Sequence, residues 1–222
     1  FIFEIEPVET SLERARELDD GPVILVDHGD NCGAGGPQDN MDVLEGVLRL
    51  GLEDVAAGPI WDPDSVAQML DAGVGAEVTV QLGGKTDSPA MDLVGRPISV
   101  TGTVRCITDG RFIVTGPMAT GSPMNLGRTA VLRAGSVDIV VSERRHEPFD
   151  TGCFTHAGID PATKRYVLIK SRQHFRAGFG PIAKHVVLVA GPGVCSSDYA
   201  SFGFKNLRRP IYPLDPDASR NA

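Results

Sequence analysis

Basic runs are missing from this chain: 21 Lys and Arg stand against 29 Asp and Glu, a formal charge of −8 over 222 residues. Nucleic-acid binders carry a basic patch, so the balance argues against that class of partner. Cysteine is scarce. Cys32, Cys106, Cys153 and Cys195 lie far apart with no CxxC spacing, which argues against a structural zinc site built of thiolates. A chain this long needs no disulfide staples, and scattered thiols suit a reducing cytosol, so a cytoplasmic location is expected. No apolar run approaches the roughly 18 residues that cross a bilayer, and no secretory leader is visible, so no membrane partner is expected. GxSxG and HExxH are absent too, and no cysteine sits in an obvious activating environment, which leaves nucleophilic catalysis without support.

What is present is an ordinary globular composition. Hydrophobic residues make up 41% of the chain, enough for a sizeable buried core. The chain begins Phe1-Ile2-Phe3, already alternating like a strand and without an initiator Met. That beginning reads as a fragment, a processed product or an excised domain.

The first 85 residues alternate strand and helix signals. "SLERARELDD" at 11–20 reads as a short helix broken by Gly21-Pro22. "VILV" at 23–26 is a continuous apolar run of the kind found in a buried parallel strand. "NMDVLEGVLRLG" has helical spacing, with Asp39 or Asn40 as N-cap and Gly51 past its end. "DVAAG" at 54–58 is a second strand, and "WDPDSVAQMLDAG" a helix with Asp62 as N-cap, Pro63 at its first position and Gly73 closing it. "AEVTVQLGG" at 76–84 alternates as a third strand. Such units predict an α/β fold, a mostly parallel sheet with flanking helices.

Residues 96–142 differ. Two β-rich runs meet at Asp109-Gly110, a hairpin signal, and a second pair turns at Gly135. This stretch reads as an antiparallel β-rich segment inserted into, or packed beside, the α/β part. The α/β pattern then resumes, with strands at 165–170 and in "HVVLVAGPG" and a short helix in "QHFRAGFGPIAK". The tail "RRPIYPLDPD" is expected to be extended by its prolines.

"VDHGDN" at 26–31 lies at the carboxyl end of a strand, where parallel α/β sheets bind ligands. Asp27 and Asp30 offer hard oxygens and His28 a nitrogen, a mixture suited to zinc or another first-row divalent ion. Gly29 would let the neighbouring side chains converge. The same residues could equally end a strand and hydrogen-bond loop amides. "CGAGG" at 32–36 could cradle an anion at a helix N-terminus, but it is neither a Walker A loop nor a GxGxxG fingerprint. A loop closing over a bound group fits it better. "KSRQHFRAGFGPIAKH" places Lys170, Arg172, His174 and Arg176 after a strand. Arg172 and Arg176, four apart, would share a helical face and could grip a carboxylate; the alternative is a solvated face over a stripe of Phe175 and Phe179. His146 and His156 read as surface residues, His185 as structural, and Trp61 as a packing anchor.

Together "PVILVDHGDNCGAGGPQDN", "AAGPIWDPDSV", "VLIKSRQHFRAGFGPIAKHVVLVAGPG" and "LRRPIYPLDPD" resemble the C-terminal region of the microcystinase C family of zinc metallopeptidases, over about residues 2–217. The resemblance implies a single α/β domain over 1–222 that closes an active site. It also implies that zinc is held mainly by an N-terminal metallopeptidase domain with no counterpart in this chain. It makes Asp27, His28 and Asp30 the catalytic candidates, with Asp27 and His28 possible metal contacts, and Asn31, Arg172, His174 and Arg176 the substrate-binding ones. The N-terminal domain and a peptide or small amide would then be the partners, and the chain alone would be inactive. Two other readings stand beside it: a non-catalytic module binding a small molecule or anion at the opening loop, and an interaction domain whose β edges support a homo-oligomer.

Overall fold

The computed structural model describes residues 5–218; the alternating start at Phe1-Ile2-Phe3 lies outside them. Helix α1 (Val8–Arg16) precedes strand β1 (Val23–Asp27), helix α2 (Asp42–Arg49), β2 (Val55–Trp61), α3 (Pro63–Ala72) and β3 (Glu77–Leu82). Then come β4 (Ile98–Thr108), β5 (Arg111–Ile113), β6 (Pro123–Asn125), β7 (Thr129–Ala134) and β8 (Val137–Ser142). Helix α4 (Gly152–Thr155), β9 (Tyr166–Ile169), α5 (Phe175–Phe179) and β10 (His185–Val189) complete the core.

Eight strands form one sheet in the order β10-β1-β9-β2-β8-β7-β4-β3. From β10 to β8 every pairing is parallel, and from β8 to β3 every pairing is antiparallel. Strands β4, β7 and β8 of the β-rich middle are therefore a continuation of the sheet, joined edge to edge through β8. Apolar residues alternate across it. Val23 and Leu25 face a layer containing Leu12 of α1, Val43, Leu44 and Val47 of α2, and Val66 and Met69 of α3. Ile24 and Val26 face Phe154 of α4 and Phe175 and Phe179 of α5. With both faces covered and both edges paired, every residue of β1 is buried, which is why "VILV" is apolar throughout.

Several expectations require correction. Strand β3 is an antiparallel edge strand beside β4, not a third parallel strand. Its buried and exposed residues alternate, as a strand covered on one face demands. Asp109-Gly110 makes a turn but no hairpin. The end of β4 that adjoins this turn pairs with β7, and β5 pairs instead with β6 in a separate two-stranded ribbon. Helix α1 starts directly after Pro7 and has ended by Glu17, ahead of Gly21-Pro22. At the start of α2, Asn40 Oδ1 accepts the Asp42 amide, while Asp39 instead accepts the amides of Lys85 and Thr86. The tail is not extended: Asp215 accepts from the Arg209 side chain and the Ile211 amide and curls it into turns. The Asp62 cap stands as read, accepting from the Ser65 amide with Pro63 in the first turn and Gly73 at the end.

Candidate functional site

Three parallel strands deliver the site. Strands β1, β9 and β10 end side by side, and from their carboxyl ends run Asp27–Asn31, Lys170–His174 and Ala190–Gly193. The first and third loops are pressed together. A Cβ at Gly29 would collide with the Gly191 carbonyl, and one at Gly193 with that of Gly29. The Cys195 amide donates to the Gly29 carbonyl and fixes the contact.

Below these loops lies a buried charge layer. The Lys170 ammonium donates to Asp27 Oδ2 at 2.6 Å and to the Asn40 carbonyl at 2.6 Å, and it lies 3.1 Å from Asp30 Oδ2. All three side chains are buried. Burial works against the ammonium, but the carboxylates of Asp27 and Asp30 outweigh it and hold Lys170 protonated. Burial pushes the Asp27 carboxyl up to about 6, with Lys170 opposing the rise. Asp27 Oδ1 has no hydrogen-bond partner and abuts Gly191. The buried His28 imidazole is pushed down to about 4, first by desolvation and then by the charge of Arg172, so it is neutral at physiological pH.

The opening loop thus does not present its charged side chains to solvent. Asp30 accepts the Gln38 amide on Oδ1 at 2.7 Å and the Asn40 amide on Oδ2 at 2.8 Å, so it lacks an oxygen for acid–base chemistry. Asn31 is the cap of a short turn at Cys32–Ala34, its Oδ1 accepting from Gly33. The glycine loop is no anion cradle. The Gly33, Ala34 and Gly36 amides all donate to Asn31 and the Gly35 amide to Cys32. The Cys32 thiol is pushed up to about 12 by burial and then by Glu147 and Asp30, which removes it as a nucleophile.

A second, outer layer faces solvent. Glu147 accepts from Ser171 Oγ at 2.9 Å on Oε1, and its Oε2 lies 2.9 Å from His174 Nδ1. Helix α5 starts only at Phe175, so Arg172 and Arg176 share no helical face. Arg176 instead donates to the Arg172 carbonyl and to Gln173 Oε1, and lies over the Phe175 ring. The anticipated two-arginine grip on a carboxylate is therefore not built. His146 and His156 are not surface residues: their Nε2 atoms are buried, and both rings pack on Phe112. His185 bonds Asp20, and the Trp61 indole donates to the Glu143 carbonyl beneath Arg145. Beside the opening loop is a cavity of about 190 Å³ whose lining includes Asp30, Asp39, Asp42, Leu93 and Val94. Sequence reasoning passed over Glu147, Gln38 and the Gly191–Gly193 loop. The only trace of the last was the Gly-Pro-Gly that follows a strand.

Among the described residues no group of three or more His, Cys, Asp or Glu side chains could hold a metal ion. Asp27 and His28 do not form such a set with any third described side chain, so the described residues do not fit zinc by themselves.

Fold and site together define an α/β domain with a mixed sheet, whose carboxyl-end loops rest on a buried Asp–Lys–Asp layer. The family model described as the MlrC C-terminus matches residues 25–206. Microcystinase C from Sphingomonas sp. is 35% identical over 206 residues, covering 92% of this chain and 38% of that protein. The crystal structure of a candidate metallopeptidase from Mesorhizobium sp. BNC1 matches with a TM-score of 0.80 at 28% identity, covering 96% of this chain and 42% of that one. The chain belongs to the MlrC C-terminal family, and it spans well under half the length of these relatives.

Proposed function

We propose that this chain is the closing half of a metal-dependent peptidase or amide hydrolase. The metal, zinc by the chemistry the family resemblance implies, would be held by residues outside this chain, and the substrate would be a peptide or small amide. The observation that carries the reading is the relation to microcystinase C, in which the chain matches 38% of a longer protein. The structure supports it from the other side: the opening loop holds buried charges that organise backbone rather than a complete ligand set. Asp27, His28 and Asp30 then act as positioning residues under the site. The anion-module reading loses its support, because the loop amides are already bonded within the loop and the one cation among the described residues lining the adjoining cavity, Arg96, is paired with Asp42 and Glu45.

The test is to assay the chain alone and the intact protein that carries it against a panel of short peptides. The expected result is zinc-dependent hydrolysis by the intact protein and none by the chain. Hydrolysis by the chain at a comparable rate would overturn the proposal.

A further inference from the structure

His174 lies on the chain's outer surface with Glu147 just beneath it, and nothing in the structural role of the buried charge layer requires them. Glu147 is nearly buried, with a side chain 10% exposed, whereas the side chain of His174 is 54% exposed. A carboxylate can only accept hydrogen bonds, so the imidazole nitrogen facing it, Nδ1, carries a proton, and in the neutral ring Nε2 is then the nitrogen that bears the lone pair. A base oriented by a shielded carboxylate is the arrangement used for proton transfer in acyl chemistry, and Glu147 is shielded though not fully buried.

The carboxylate is held on several sides. Ser171 Oγ binds its other oxygen at 2.9 Å, and Oε2 rests so close to Gly33 that a Cβ there would collide with it. Its backbone is fixed from the opening loop. Asp30 holds the Gln38 amide; the Gln38 carboxamide donates to the His146 carbonyl at 2.7 Å and accepts the His146 amide at 2.9 Å; Glu147 is the next residue. The acidic loop and the glycine loop therefore converge on one outcome, a fixed Glu147.

We propose that Glu147 and His174 form a carboxylate–imidazole dyad that presents His174 Nε2 to the substrate as the proton-transfer group for amide cleavage, with Glu147 its positioning residue. This rests on the hydrolase reading above. A water oxygen bonds to the amide carbonyl carbon as its proton passes to Nε2. That proton then goes to the amide nitrogen as the C–N bond breaks, leaving a carboxylic acid, an amine and the neutral imidazole.

The experiment compares the intact protein with its His174→Gln, Glu147→Gln and Glu147→Asp variants on a peptide substrate, with ¹⁵N NMR of the histidines alongside. His174→Gln is expected to lower kcat by about 100-fold or more with KM within about twofold. Glu147→Gln is expected to abolish the Nδ1–H bias of His174 in the ¹⁵N spectrum and to lower kcat, and Glu147→Asp to restore part of both. Peptide cleavage undiminished by His174→Gln, or a His174 tautomer unmoved by Glu147→Gln, would overturn the dyad while leaving the hydrolase reading intact. An intact wild type that cleaves no amide would overturn both.

Discussion

Lys170 is a buried cation set between two buried carboxylates. It is the cation facing the buried carboxylates of Asp27 and Asp30, and it ties them to the Asn40 carbonyl at the entrance to α2. Lys170→Met would leave two buried acids uncompensated. Removing one partner of a buried pair costs about 3–5 kcal/mol, so the variant should lose stability on that scale in urea unfolding; a loss below about 1 kcal/mol would contradict the assignment. The same layer sets a pH signature. Asp27, raised to about 6, binds a proton in the folded state that the unfolded chain has released, so its contribution declines as pH rises from the ordinary carboxylate range to about 6. His28, lowered to about 4, binds none where the unfolded chain does, so its contribution grows over about pH 4 to 6.5. The two slopes oppose each other. Asp27→Asn should therefore make stability rise more steeply with pH than in the wild type across that window, and His28→Asn less steeply. Equal slopes in all three proteins would refute the assigned directions.

At the scale of elements, the two loops beyond β1 and β10 are joined by contacts that only glycine permits. Gly193→Ala drives a methyl group into the Gly29 carbonyl and should cost about 1–3 kcal/mol. Gly203→Ala, which meets nothing within 4 Å, is the control and should change stability by under about 0.5 kcal/mol. Similar losses in both variants would mean that the loops are not packed as described. The legible elements were those whose sequence carried its own physics: the all-apolar run of β1, the Asp62-Pro63 start of α3, the two-residue turn between β7 and β8. The misreadings came from pairing. "AEVTVQLGG" displays a half-exposed alternation that belongs to an antiparallel strand, and its place after two βα units hid that signal. Asp109-Gly110 is a proper turn sequence, yet no local signal reports that β7, from 20 positions on, takes the end of β4 beside it while β5 pairs with β6.

For the whole molecule, the fold class was legible because periodicity is local, and the site only in part because its bonds are not. Gln38 meets His146 across 108 positions, and Asp27 meets Lys170 across 143. "DHGDN" gave away its location at a strand end but not its burial, and His174 drew notice for its charge while Glu147, which orients it, stood unremarked in a run of polar residues. The central claim is that this chain closes a metal-dependent site without holding the metal. The most direct measurement is calorimetric zinc titration of the chain beside the intact protein, with Asp27→Ala as the comparison. The expected result is stoichiometric zinc in the intact protein and no tight site in the chain. Tight binding by the chain near one ion per molecule, lost in Asp27→Ala, would contradict the account and make the opening loop a metal centre in its own right.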